Sequence, residues 1–383
     1  MQRKKFFAIS TLIILTALLI STSIGVKAEI AKPNQAIDVA CVFATGGLGD
    51  KSFNDMAYAG LQKAEDDELC SFVYSEPDEI AEYDGLLANY ADNDSIDLIV
   101  SIGFDQATAV NETAKLYPDK PIVLIDMVVF QGNVRSVVFN VAEGSFLVGA
   151  IAGLMTESGK VGFIGGMDIP LIREFWAGYY AGAIYEKNNS YIEVFTNFVG
   201  DWGDPTTAKS QAETMWAEGV DIIFAAAGSS GLGVLESADE QTGKWAIGVD
   251  ADQDYLYPGK ILCSMMKRVD IAVYNAVKDV YDDDWSSGLQ ALGLKDDGVG
   301  ISPLTETKDE IGTDNIKEVN VTLRDAIIDG DIVPPINETT LETFITDMNI
   351  VTKEEPGAAP GYELLVVFGA LAIIPLFLRR RRK

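Results

Sequence analysis

KVGFIGGMDI at residues 160–169, DIIFAAAGSSGLGV at 221–234 and KWAIGVDADQDY at 244–255 carry one theme three times: an apolar strand runs into a turn rich in glycine and aspartate. Small polar ligands bind just outside the carboxyl ends of parallel strands, where glycine lets the backbone approach and carboxylates accept hydroxyls. The three stretches therefore predict a parallel sheet with a small-molecule site along its carboxyl edge.

On either side of these turns the chain alternates strand and helix. In the first half, strands are expected at 37–44, 71–74, 97–103, 121–126 and 136–140, with helical periodicity over 52–67, 79–91 and 106–116. The pattern then restarts. Helices are expected at 143–156, 169–188, 205–218 and 231–241, and strands at 161–165, 191–198, 221–226 and 245–250. This is an α/β chain whose parallel sheets are covered on both faces, and its length suits two lobes better than one giant sheet. Residues 264–268 read as a crossing between lobes, followed by a helix over 269–283; after Trp285 a strand at 294–301 and a helix at 316–328 are expected. The first lobe then takes residues 36–139 plus 266–284, and the second 140–265 plus 285–345.

The ends have a different character. Residues 1–28 read as a signal peptide: Arg3, Lys4 and Lys5, an apolar stretch over 6–20, and the small-residue site Val26-Lys27-Ala28. No cysteine follows the apolar stretch, which argues against a bacterial lipoprotein anchor at the new N-terminus. A linker over 350–362, containing EEPGAAPGY, leads into a tail over 363–383 with an apolar run at 364–378 and the basic end RRRRK. That run is short for a bilayer core, which takes ~20 residues, and Pro375 interrupts it. The basic end is expected to stay cytoplasmic, leaving the body of the chain outside the cell. The tail resembles the sorting signals of archaeal surface proteins, which are removed and replaced by a lipid; a plain C-terminal membrane tail is the alternative. Both place the protein at the outer face of the membrane.

Composition excludes several classes. Of the 29 basic residues, four lie in 1–28 and five after residue 360; 57 of the 58 acidic residues lie between, so the body carries 20 basic against 57 acidic groups, a net charge of about −37. Nucleic acid and anionic lipid are poor partners for such a surface. The chain has no histidine, the commonest general base and zinc ligand, and its three cysteines have no disulfide or metal spacing. Cys41 and Cys263 fall within apolar strands and Cys70 begins another, as small buried hydrophobes do. No Gly-x-Ser-x-Gly or phosphate-loop motif is present, so an enzyme is disfavoured and no cofactor is expected. Asn-x-Ser/Thr sites at Asn93, Asn111, Asn188, Asn320 and Asn337 are compatible with glycosylation.

DKSFND at 50–55, Ile125-Asp126, VFNVAEGSFLVGAIAGL at 138–154, GFIGGMDIP at 162–170, AGSSGLGV at 227–234, IGVDADQ at 247–253 and SMMKRVD at 264–270 carry a resemblance over about residues 36–305. In order and spacing they resemble the basic membrane protein family, the PnrA-like substrate-binding components of ABC transporters. The resemblance implies a type I periplasmic-binding-protein fold: two Rossmann-like lobes joined by three crossings, with a ligand closed in the cleft between them. It further implies binding of a purine nucleoside and delivery to ABC permease subunits, although relatives take other ligands, riboflavin among them.

Residue chemistry at the matching positions can be weighed separately. Phe53 follows the first strand and Trp202 follows the strand ending near Phe198; one ring from each lobe would sandwich a flat heterocycle, at ~1–3 kcal/mol per stacked base. These positions match the family's stacking rings. Asp126 and Asp250 each close an apolar strand, where a carboxylate either accepts vicinal ribose hydroxyls or caps a turn. Lys267 and Arg268 are both placed to pair with those aspartates, and the family match favours Lys267. Gly228, Ser229 and Ser230 either approach the ligand or only shape their turn. Asp50 and Asn54 either meet the base edge or cap the following helix. The expected function is a membrane-anchored extracellular nucleoside receptor for uptake. A nucleoside-cleaving enzyme using Asp126 or Asp250, and a sensory ectodomain, are the alternatives; only five residues follow the apolar run, too few for a cytoplasmic output domain.

Overall fold

A computed structural model describes residues 35–186 and 191–350. The expected signal peptide, the linker beyond residue 350, the C-terminal tail and the site at Asn188 lie outside the described residues.

Two six-stranded sheets form the body of the chain. The first contains β1 (Ile37–Val42), β2 (Cys70–Ser75), β3 (Leu98–Ile102), β4 (Ile122–Ile125) and β5 (Val134–Phe139); the second contains β6 (Lys160–Gly165), β7 (Glu193–Phe198), β8 (Ile222–Ala226), β9 (Trp245–Asp250) and β10 (Ile261–Lys267). Each set is parallel and runs in the order 2-1-3-4-5. Two further strands close the sheets: β11 (Gly288–Leu292) adds parallel to β5, and β12 (Val299–Ile301) adds antiparallel to β10. The α/β expectation holds, with two doubly wound lobes.

The near-continuous apolar strands are explained by cover on both faces. In β1, Val39 and Cys41 face α1 (Phe53–Asp66) through Ala57 and Leu61, while Ala40 and Val42 face α2 (Tyr83–Asp92) and α3 (Ala107–Leu116) through Tyr83, Leu87 and Val110. In the second lobe, Val161 and Phe163 meet α4 (Val141–Met155) and α5 (Pro170–Glu186), and Ile164 meets α6 (Pro205–Ala217) and α7 (Gly231–Asp239). Helices α4 and α5 touch backbone to backbone. A Cβ on Gly149 would lie 2.2 Å from the Tyr179 carbonyl oxygen, and one on Gly182 would lie 2.0 Å from that of Phe146. That contact holds α5 against α4, and the first turns of α5 reach the cleft.

Among the described residues the chain passes between lobes three times: from β5 into α4, from β10 into α8 (Val269–Tyr281), and from β11 to β12. Two sequence expectations need correction here. Residues 266 and 267 are the end of β10 in the second sheet, so the crossing follows Lys267. Residues from 285 onward were assigned to the second lobe, yet β11 pairs with β5 in the first. Its strand is exposed and carries Gln290, which hides the apolar pattern. Arg135, only 2% exposed, pins its approach: Nε donates to the Ser286 carbonyl at 2.8 Å, Nη1 to Asp279 at 2.7 Å, and the guanidinium lies 4.3 Å from the Trp285 ring centre.

The strand expected at 294–301 is also shorter. Leu294–Asp296 form a 3-10 turn, Asp297 is left-handed at φ 52°, and only Val299–Ile301 extend. The helix expected at 316–328 is present as Thr313–Lys317 and Arg324–Ile328 joined by a π-helical stretch over Glu318–Leu323.

Candidate functional site

A cleft of about 710 Å³, part of it open to solvent, lies where the carboxyl ends of the two sheets face each other. The first lobe lines it with Ala44, Thr45 and Gly46 after β1, Asp50, Phe53 and Asn54 around the start of α1, Gly103, Phe104 and Asp105 after β3, and Asp126 after β4. The second lobe adds Leu171, Ile172 and Phe175 from α5, Trp202 after β7, Gly228 and Ser229 after β8, Asp250 from β9 and Lys267 from β10.

Asp126 and Asp250 occupy equivalent places in the two lobes, and both adopt left-handed backbone, at φ 73° and 63°. Aspartate tolerates that region better than most residues, and the turn swings each carboxylate off its strand end. The side chain of Lys267, 3% exposed, forms an ion pair with Asp126. Its ammonium also lies 4.5 Å from the Phe53 ring centre, 5.3 Å from that of Phe139 and 5.9 Å from that of Phe175. The choice between Lys267 and Arg268 is thereby resolved, because Arg268 turns away to Asp270 at 2.8 Å. Asp126 Oδ2 takes the lysine, and Oδ1 is buried with no donor. Asp250 accepts from the Ser52 hydroxyl at 2.5 Å. Its pKa is raised by burial and, to a smaller degree, by Asp126, with Lys267 and Ser52 opposing. Glu174 on α5 is likewise raised by burial and then by Asp126, with Lys267 opposing.

The segment DKSFND caps itself. Asp50 accepts from the backbone N–H groups of Ser52 at 2.8 Å, Asn54 at 2.9 Å and Asp55 at 3.2 Å. Asn54 accepts from the Ala44 N–H and donates to the Gly47 carbonyl, both at 3.0 Å. Both residues line the cleft, and the polar groups named here hold the β1–α1 loop, as the capping alternative expects. Their work places Phe53 against Lys267.

Trp202 depends on glycine. Its ring lies over Gly166, where an added Cβ would come within 2.3 Å of the ring, and beside left-handed Gly228, where one would lie 3.7 Å away. Gly166 ends the GFIGG stretch of the opening motif, and its role is to give the indole a floor. Ser230 anchors the same loop: its N–H donates to the Trp202 carbonyl and its hydroxyl to that of Asp201, each at 2.8 Å. Phe53 and Trp202 belong to opposite lobes.

Three contributors were not singled out by sequence. Ser52 reaches Asp250 across the cleft, and Gln253 crosses in the other direction, its amide donating to the Lys51 carbonyl at 2.9 Å. Gln253 also accepts from the Val249 N–H at 3.0 Å, which braces the end of β9. Asp105 is the third; the only signal for it was its place just after a strand.

Two buried carboxylates make stability depend on pH. Burial raises Asp50 to about 6, against the pull of its three backbone donors, and Asp254 to about 6, with Asp252 adding and the hydroxyls of Ser264 and Ser302 opposing. An acid whose pKa is higher folded than unfolded binds its proton more tightly in the folded state, so stability is gained as pH falls from about 6 toward the ordinary value of 3.8 and is absent above 6. The melting temperature is therefore expected to rise by several degrees between pH 7.5 and pH 5. Thermal unfolding followed across that range checks this, and the rise should be smaller in Asp50→Asn/Asp254→Asn. A flat or falling profile would contradict it.

Comparison with known proteins adds the following. The family model described as ABC transporter substrate-binding protein PnrA-like matches residues 37–336. The chain is 34% identical over 321 residues to an uncharacterized lipoprotein of Pyrococcus abyssi, covering 80% of this chain and 79% of that one. It is 33% identical over 313 residues to basic membrane protein D of Borreliella burgdorferi, covering 79% and 89%. A crystal structure of an ABC transporter solute-binding protein from Aeropyrum pernix superposes with a TM-score of 0.73 at 31% identity, covering 82% of this chain and 97% of that one.

Proposed function

This chain belongs to the PnrA-like family of ABC transporter substrate-binding proteins, and from that premise we propose that it binds a purine nucleoside between its lobes and passes it to a membrane permease. The observation that carries this reading is the content of one cleft: two aspartates at equivalent strand ends around a buried lysine, with an aromatic ring from each lobe. Asp250 and the undonated oxygen of Asp126 are acceptors for the two vicinal hydroxyls of a ribose. Lys267 pairs with Asp126, opposes the effect of burial on Asp250, and tethers Phe53 by cation–π attraction. Phe53 and Trp202 then hold the flat base by stacking. Ser52 and Gln253 join the lobes directly, so hinge closure seals the cleft behind the ligand.

The role is binding without chemistry. The family consists of transporter substrate-binding proteins, and the chain has no histidine to serve as a base. The signal peptide over 1–28 would export the receptor, and the tail over 363–383, or a lipid replacing it, would hold it at the outer face of the membrane, beside its permease.

Thermal shift with millimolar ligand tests the reading. Inosine and guanosine should each raise the melting temperature by several degrees through preferential binding to the folded state, ribose and free purine bases by far less, and the nucleoside should be recovered uncleaved. A larger shift with riboflavin, or release of free base, would overturn it.

Gly166 gives a second, independent check. Gly166→Ala drives a methyl into the Trp202 ring and should weaken nucleoside binding at least tenfold, about 1.4 kcal/mol. In a Trp202→Ala background the same change should cost almost nothing more. Equal losses in both backgrounds, measured by calorimetry, would mean that Gly166 acts elsewhere.

A further inference from the structure

Asp105 stands in the 3-10 turn Phe104–Gln106 that follows β3, on the wall of the cleft. One of its oxygens is held: the Tyr83 hydroxyl donates to Oδ2 at 3.1 Å, while accepting the Thr45 N–H at 3.0 Å. Tyr83 is itself core, 1% exposed, so this brace is rigid. Oδ1 has no donor although it is buried. A buried acceptor left unpaired costs about 1–3 kcal/mol, so a donor supplied from the cleft would be favoured there.

The surroundings say what kind of donor is missing. A Cβ built on Gly103 would lie 3.0 Å from Asp105 Oδ1 and 3.1 Å from the Ala44 methyl, so the glycine leaves open the space between the carboxylate and Ala44, which follows β1. In the sheet, β3 lies between β4, which carries Asp126 beside the hinge, and β1, which leads to Phe53. A ligand whose sugar meets Asp126 and Asp250 therefore directs its ring toward Asp105. Burial raises the pKa of Asp105, while the Tyr83 hydroxyl and, more weakly, the nearby backbone N–H groups of Asp105 and Gln106 oppose that rise; neither N–H makes a hydrogen bond to Oδ1.

Resting on the nucleoside reading, we propose that Asp105 is the residue that selects the base, accepting a hydrogen bond from an N–H donor on the edge of the purine remote from the sugar. Ligands with a ring N–H or an exocyclic amine on that edge are favoured: inosine and guanosine through N1–H, guanosine and adenosine through their amino groups. Purine riboside, which carries only acceptors there, leaves Oδ1 unpaired, and 1-methylinosine puts a methyl group against it. Tyr83 is a positioning residue that fixes the carboxylate.

Calorimetric titration of the full chain with inosine, 1-methylinosine and purine riboside tests the assignment before any variant is made. Inosine should bind at least tenfold more tightly than either analogue. In Asp105→Asn the ratio of inosine to purine riboside affinity should fall by tenfold or more, and Tyr83→Phe should lower the same ratio by a smaller factor. Equal affinities for the three ligands in the unaltered chain, or an unchanged ratio in Asp105→Asn, would overturn the role of Asp105 while leaving nucleoside binding intact. Failure of the unaltered chain to bind any of the three, or guanosine or adenosine, would overturn the nucleoside reading and this assignment with it.

Discussion

Lys267→Met is expected to destabilise the folded chain by ~3–5 kcal/mol, the usual cost of removing one partner from a buried ion pair. The lysine side chain is 3% exposed and its partner Asp126 4%, so neither can find water when the other is lost. Asp250 adds to the effect, because Lys267 is the charge that opposes its burial. For a chain of this size the melting temperature should drop by on the order of 10 °C. Methionine keeps the stem that packs among Phe53, Phe139 and Phe175, which separates charge from volume. Lys267→Met/Asp126→Asn should recover at least half of the loss, since the orphaned carboxylate is then gone. Chemical unfolding of the two variants checks this; a loss below 1 kcal/mol in the single variant would mean that the pair is not buried as described.

Asp250→Ala is expected to weaken nucleoside binding by tenfold to a hundredfold, about 1.4–2.7 kcal/mol, through loss of a buried partner for the sugar hydroxyls. The effect should be specific to the sugar: any binding of a free purine base should change far less, because the base lies between Phe53 and Trp202. Stability should not suffer comparably. Asp250 is buried with a raised pKa, and its removal relieves a desolvated carboxylate while freeing only the Ser52 hydroxyl. Calorimetry of the Asp250→Ala and Asp126→Ala variants distinguishes the cases. Unchanged nucleoside affinity in both would sink the ribose clamp.

The two doubly wound sheets were legible because parallel strands covered on both faces leave long apolar runs closed by Gly/Asp turns, as in β8 and β9. Asp126 and Asp250 were legible for the same reason: each stands where such a run stops. What a side chain does after the turn was less visible. Asp50 and Asn54 line the cleft, yet local N–H groups, being nearer, engage both, a pairing that the sequence pattern alone does not choose. Ser52 and Gln253 work only because residues about 200 apart meet across the cleft, a distance that no local pattern encodes. Strand β11 was missed because an exposed edge needs no apolar run; a buried arginine on its neighbour holds its approach instead. Gly166 was visible as part of a motif, but its purpose appears only with the indole above it.

The central claim is that the cleft binds a nucleoside through its sugar and its base together. Calorimetric titration of the unaltered chain with inosine, guanosine, adenosine, ribose, hypoxanthine and riboflavin tests it most directly. One-to-one binding of at least one purine nucleoside, at least a hundredfold tighter than ribose or hypoxanthine alone, is the predicted result. Binding of riboflavin or ribose in preference to every nucleoside would contradict it.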